Sequence, residues 1–389
     1  MQWRLFLIAA VVGVCLTAGY AAADTRPMAF KHLSVRDGLS QNTVMDILQD
    51  SQGYVWLATE NGLDRYDGYS FKSYQRGLAS AGELASDYIW ALAEDADTNI
   101  WLATEGGGLV RWLRHSDTFQ HFRHNPLQQN SISSDRARAL LITEQGIWVG
   151  TEDAGLNLLD PATGQFTHFD HDPSEASSLP SNQVYALLQD TQGRLWVGTD
   201  GGLAWLQPNT KRFTRLQHNP DNPLSLSNDR VRTLFQDRHG GIWVGTFGGG
   251  LNLLDRRASQ FKRFIADGQP GSLSHDHVRD ISEDNQGRLW VGTAKGLNVL
   301  PPYSDRFAHY MSGPGYESLQ DDYIMSLYQD RGGVLWIGTR TGGVSTWNSQ
   351  SWYFGHNKPD WLNQQSVTAF SSHDRFLWVA SFNEGLTQI

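Results

Sequence analysis

Fourteen residues recur in pairs along the chain: Thr43 and Met45, Tyr88 and Trp90, Arg136 and Arg138, Gln183 and Tyr185, Arg230 and Arg232, His277 and Arg279, Tyr323 and Met325. Each pair directly follows an Asn or Asp, at Asn42, Asp87, Asp135, Asn182, Asp229, Asp276 and Asp322. Pair members stand two residues apart, so on a strand both point the same way. The set is rich in aromatics and arginine. Aromatic faces stack on sugar rings, and guanidinium forks hold carboxylates in bidentate fashion. The candidate ligand-binding residues are therefore Tyr88, Trp90, Arg136, Arg138, Tyr185, Arg230, Arg232, His277, Arg279 and Tyr323. The matching ligand is a glycan or another polar, even acidic, small molecule.

Those pairs need a scaffold that repeats, and the chain has one. A Trp followed by an aliphatic residue, Ala or Gly, then Thr or Ser occurs at Trp56, Trp101, Trp148, Trp196, Trp243, Trp290, Trp336 and Trp378, with spacings of 45, 47, 48, 47, 47, 46 and 42. A period of about 46 residues with a Trp signature, and Gly and β-branched residues inside each unit, fits propeller blades better than helical solenoids. In residues 224–264 four strands are expected at Val231–Gln236, Ile242–Thr246, Leu251–Leu254 and Phe261–Phe264, with a polar turn at Asp237–Gly241 and a glycine turn at Gly248–Gly250. Such a sheet is apolar on both faces and must stack between two neighbours. The repeated Trp then packs blade against blade, and Trp112, Trp347 and Tyr66 join that core from the third strand.

The fold class expected is all-β, a propeller of four-stranded blades. Its closure has two solutions. An outer-strand motif, Phe30–Leu33, precedes any complete blade, and the eighth unit stops one strand short at Ile389. Either the N-terminal strand completes blade eight and closes an eight-bladed ring, or seven blades are followed by a partial extra one.

In a propeller the inner strand lines the channel, and the paired positions lie around one mouth, a concave place suited to binding. Competing readings apply there. The Asn and Asp residues before each pair are expected to cap the backbone. Glu60, Glu105, Glu152 and Asp200 return to the same mouth, and inter-blade ion pairs with them would account for the arginines without a ligand. Tyr88 and Trp90 need another explanation, and packing on a neighbouring blade supplies one. Catalysis normally breaks a repeat with unique groups. Of 13 histidines, His121, His168 and His309 fall in outer-strand motifs and read as solvated. Only His277 is in the mouth set, and beside Arg279 and Asp280 it is too little for a metal site. No cofactor or metal is expected. A propeller enzyme (a lyase or glycan-active enzyme) and a protein-docking platform are the alternatives to a binding module.

Residues 1–23 have the parts of a secretory signal: Arg4, an apolar run from Leu5 to Leu16, and Ala21-Ala22-Ala23 ahead of Asp24. Cleavage after Ala23 is expected, leaving a propeller over residues 24–389; the apolar run is short for an uncleaved anchor. Val14 before Cys15 disfavours a lipoprotein site. Cys15, the one cysteine of the chain, would leave with the signal, so disulfides and Cys-ligated zinc are excluded from the mature form. The charge would move from −10 to −11, which argues against nucleic-acid or anionic-membrane partners.

Residues 30–74, FKHLSVRDGLSQNTVMDILQDSQGYVWLATENGLDRYDGYSFKSY, resemble the opening of the two-component regulator propeller family. The shared features are the GLS-x-N entry, the D-x-x-G turn, the W-x-[AG]-T strand and the G-L-x-x-[YL]-D strand, and the resemblance covers the mature chain. It implies the periplasmic sensor region of a membrane receptor, with a histidine kinase or diguanylate cyclase downstream in a longer chain or as a partner. Within these 389 residues there is no kinase, nucleotide-loop or cyclase motif. The resemblance does not identify the ligand.

Overall fold

The computed structural model describes residues 28–77, 83–208, 210–315 and 318–348, together with the strand segments 367–373, 376–381 and 385–388. The expected signal segment lies outside the described residues. Seven four-stranded antiparallel sheets form a propeller. A short strand β1 (Lys31–Leu33) opens the chain. Blade one follows as β2 (Val44–Gln49), β3 (Val55–Thr59), β4 (Gly62–Tyr66) and β5 (Phe71–Tyr74). The inner strands of the next five blades are β6 (Ile89–Glu94), β10 (Ala137–Thr143), β14 (Val184–Gln189), β18 (Val231–Gln236) and β22 (Val278–Glu283), each followed by its three outer strands. Blade seven has β26 (Ile324–Gln329), β27 (Val334–Thr339) and β28 (Val344–Asn348).

The N-terminal strand decides the closure. β1 lies antiparallel on β28, Leu33 opposite Val344 and Lys31 opposite Thr346, so it is the outer strand of blade seven and not of blade eight. The eight-bladed alternative is thereby excluded. Its physical cause is the open edge of β28, whose unpaired backbone groups β1 satisfies. Phe30 is buried just before β1, in one cluster with Trp290 and Trp347. Blades one and seven meet through Thr43, whose hydroxyl donates to the Arg340 carbonyl at 2.7 Å. The eighth repeat forms a separate three-stranded sheet of β29 (Val367–His373), β30 (Phe376–Ser381) and β31 (Gly385–Gln388).

Each letter of the W-x-[AG]-T strand has a mechanical reason. The Trp side chains from Trp56 to Trp336 are at most 7% exposed. In six blades the indole N–H donates to the Asp that opens the turn before the Trp strand, as Trp56 does to Asp50 at 2.9 Å and Trp290 to Asp284 at 2.8 Å. The same Asp accepts turn N–H groups, for instance those of Gln52 and Tyr54. The small residue makes room for the next blade: a Cβ on Gly198 would lie 2.6 Å from Val231, and one on Gly245 would lie 2.6 Å from Val278. The closing Thr is fully buried and donates to the carbonyl of the following glycine, Thr199 to Gly202 at 2.8 Å. Blade three departs from this plan. Its hairpin is cut to Glu144 and Gln145 and has no Asp for Trp148.

Candidate functional site

The inner strands converge on one end of the ring, where a cavity of about 240 Å³ opens. Its wall takes one residue of the same repeat position from each blade: Met45, Trp90, Arg138, Tyr185, Arg232, Arg279 and Met325. A β-bulge puts them there. In blade one Val44 faces Thr59 and Asp46 faces Ala58, leaving Met45 as the extra residue; the same register shift occurs at Trp90, Arg138, Tyr185, Arg232, Arg279 and Met325. A bulged residue leaves the ladder and its side chain is re-aimed, here toward the axis.

The structure therefore divides the predicted pairs. Trp90, Arg138, Tyr185, Arg232 and Arg279 line the cavity, whereas Tyr88, Arg136, Arg230, His277 and Tyr323 do not line it. Tyr88 still touches Trp90, with ring centres 4.6 Å apart. The preceding Asn and Asp residues cap: the Asp135 carboxylate accepts the His124 N–H at 2.7 Å, and Asp229 accepts that of His218 at 2.6 Å. Each ties the end of one blade to the start of the next.

Many of the polar groups are partnered to one another. Arg136 meets Glu105 at 2.7 Å, Arg138 meets Glu152 at 3.5 Å, and Arg230 and Arg232 share Asp200 at 3.3 and 3.1 Å. Tyr88 and Tyr185 donate their hydroxyls to Glu60 and Glu152, both at 3.1 Å, and the Trp90 indole donates to Glu105 at 3.1 Å. The Glu60 carboxylate pushes Tyr88 upward, after burial, to about 12. Arginine and aromatic residues also interleave. The Arg138 guanidinium lies 3.3 Å from the centre of the Trp90 ring, and that of Arg232 lies 3.6 Å from Tyr185. Such stacks hold the guanidinium planes while leaving their edges to donate.

Two cavity carboxylates were not among the candidate ligand-binding residues. Asp46 and Asp280 follow the bulge in blades one and six, where other blades carry Ala, Thr or Ser. Asp46 accepts the N–H of Leu92 at 2.7 Å, and Asp280 that of Leu327 at 2.7 Å, so each carboxyl joins two blades. Enclosure by protein raises Asp46 to about 7 and Asp280 to about 6. A break in the repeat at this position was the available clue. His277 stacks on Phe247 with ring centres 3.9 Å apart, and burial lowers its pKa. Of the outer-strand histidines, His121 and His309 are exposed and His168 is half-buried; the His168 ring meets the Ser131 carbonyl at 2.8 Å, and His309 meets that of Ser272 at 2.7 Å. Among the described residues no cluster of His, Cys, Asp and Glu could hold a metal, and no helix is long and apolar enough to cross a membrane.

Comparison with known proteins agrees with this architecture. The two component regulator propeller model matches residues 38–61, 83–106, 178–201, 225–248, 272–295 and 318–341. The third repeat, which lacks the Asp turn, falls outside those matches. A stretch of 53 residues is 43% identical to Histidine kinase P4 of Formosa agariphila, covering 14% of this chain and 4% of that protein. The extracellular domain assigned to hybrid two component system BT3049 of B. thetaiotaomicron superposes with a TM-score of 0.72 at 26% identity, over 93% of this chain and 48% of that one. The chain thus spans about half the length of that structure. The corresponding domain of BT4673 superposes with a TM-score of 0.67 at 22% identity, covering 93% and 46% of the two chains. A streptogramin B lyase shares the fold alone, with a TM-score of 0.60 at 11% identity over 82% of this chain and 97% of that one.

Proposed function

We propose that this chain, a member of the two-component regulator propeller family built like the extracellular domains of two-component sensor systems, is the ligand-sensing module of a signal-transduction receptor. The module works in the periplasm after export, and its ligand is a glycan unit or other polar small molecule held in the seven-sided cavity. The signal passes to a histidine kinase or diguanylate cyclase, in a longer chain or in a partner.

One observation carries this reading. Across the seven repeats the bulged position varies among Met, Trp, Arg and Tyr, and all seven residues meet in one cavity. Packing does not require that variety, since Met fits the position in two blades. At about 240 Å³ the cavity is smaller than the roughly 300–1,000 Å³ of drug-sized sites, which suits a single sugar ring or the end of a chain.

The test is thermal stabilisation of the protein by a panel of oligosaccharides and organic acids. A ligand at a hundred times its Kd stabilises by about 2.7 kcal/mol, enough for a clear shift in Tm. The shift should vanish in Trp90→Ala. A full shift in that variant would place the ligand elsewhere.

A further inference from the structure

The acid that serves the arginines is missing from one side of the ring. At the end of the Trp strand, blades one to four carry Glu60, Glu105, Glu152 and Asp200, but blades five to seven carry Phe247, Ala294 and Arg340. The consequence falls on two cavity arginines. Arg232 must share Asp200 with Arg230, and its Nη1 is buried without a hydrogen-bond partner. Arg279 forms no ion pair among the described residues, and its Nε is likewise buried and unpartnered. The adjacent Asp280 does not relieve it, because that carboxyl is committed to the N–H groups of Ile281 and Leu327 and to the Thr233 hydroxyl.

A buried donor without a partner is destabilising, more so when charged. Two guanidiniums in neighbouring blades, one sharing its acid and the other without one among the described residues, line one cavity, and a bound anion would balance their charge. Burial already pushes the Arg279 guanidinium below its ordinary range, and Arg232 adds to that. Beyond Arg279, Met325 and Met45 continue the ring through blades seven and one with apolar surface.

We propose that Arg232 and Arg279 form an anion subsite, and that the ligand carries a carboxylate or sulfate which these two guanidiniums bind together. The proposal rests on the sensing reading given above and narrows its ligand to acidic sugars and similar anions. Two forks present paired N–H groups at fixed geometry, which matches the oxygens of a carboxylate or sulfate better than a hydroxyl.

The experiment uses the whole protein with glucuronate, inorganic sulfate and glucose as probes, and compares Arg279→Met with Arg136→Met. Met already fills the same ring position in blades one and seven, so Arg279→Met is expected to fold, and its unliganded Tm should equal or exceed that of the parent. Calorimetry should show glucuronate binding, sulfate competing with it, and glucose binding at least tenfold more weakly. Arg279→Met should lose at least tenfold in glucuronate affinity, while Arg136→Met, whose side chain is paired with Glu105 at the rim, should change less than threefold. Unchanged glucuronate affinity in Arg279→Met overturns the subsite, and so does a lower unliganded Tm in that variant. Glucose binding as tight as that of glucuronate in the parent, lost in Trp90→Ala but kept in Arg279→Met, overturns the anion subsite and leaves the sensing module standing. Failure of glucuronate and sulfate to bind, while a neutral oligosaccharide does, has the same meaning; failure of every probe and of the wider panel removes both.

Discussion

Asp50 joins four donors through two oxygens, and replacing it separates two jobs. Oδ1 accepts the turn N–H groups of Gln52 and Tyr54 at 3.0 and 2.9 Å. Oδ2 accepts the Trp56 indole N–H at 2.9 Å and the Arg114 guanidinium of the next blade at 2.7 Å. Asp50 and Trp56 are both 0% exposed, so water cannot replace the lost acceptor at the indole. Asp50→Asn keeps a carbonyl for the turn but turns an NH2 group toward two donors. An orphaned buried N–H costs about 1–3 kcal/mol and a broken buried ion pair about 3–5. Arg114 retains Thr98, Gln52 and a longer approach to Glu94, which lowers its share. The expected loss for Asp50→Asn is therefore about 3 kcal/mol. Asp50→Ala also frees the two turn N–H groups, but Ser51, Gln52 and Gly53 are exposed and water reaches them, adding only about 1 kcal/mol. Asp153→Ala is the control, because its contact with Arg136 is long, at 3.5 Å, and exposed, and should be worth under about 1 kcal/mol. Urea unfolding followed by tryptophan fluorescence measures all three. If Asp50→Asn proves no less stable than Asp153→Ala, the indole–carboxylate bond is not what the repeated Asp is for.

Three further outcomes are expected. Gly343→Ala should unseat β1 and lower Tm by several degrees, because Gly343 has φ +77° and an added Cβ would collide with the Leu33 carbonyl; proteolysis at the N-terminal strand should accelerate, and an unchanged cleavage rate would contradict the closure. Phe30→Ala removes a side chain 4% exposed beside Trp347 and should cost about 3 kcal/mol in urea unfolding, a loss below about 1 kcal/mol counting against that anchor. Asp46 is raised to about 7 from 3.8, so its protonated form is favoured by folding; this stabilisation is full below about pH 4 and is lost as pH rises through about 7. Between pH 5 and pH 8 that is about two pH units at 1.36 kcal/mol each, reduced by its contact with cavity water to about 2 kcal/mol. Ser326 occupies the same repeat position, so Asp46→Ser is the reference: the stability of the parent relative to this variant should fall by about that amount from pH 5 to pH 8. An equal difference at both values would show that Asp46 does not titrate in this window.

Much of the architecture was written into the chain because it repeats. The Trp period, the turn residues and the strand lengths are local properties copied eight times, and the four strands expected in residues 224–264 differ from the observed Val231–Gln236, Ile242–Thr246, Leu251–Asp255 and Gln260–Phe264 by one residue at two ends. The paired positions at the mouth were legible for the same reason, since variation shows against a constant background. Three things required the folded ring. β1 pairs with a strand more than 300 residues away, and no local pattern says whether blade seven or eight will offer the open edge. The bulge that sends Arg232 and Arg279 to the axis while Arg230 stays outside the cavity is a register shift between two strands, invisible to a strict alternation of faces. Whether an arginine is neutralised depends on the acid contributed by a neighbouring blade, and only the packing of blade against blade showed that Arg136 has one and that Arg279 has none among the described residues.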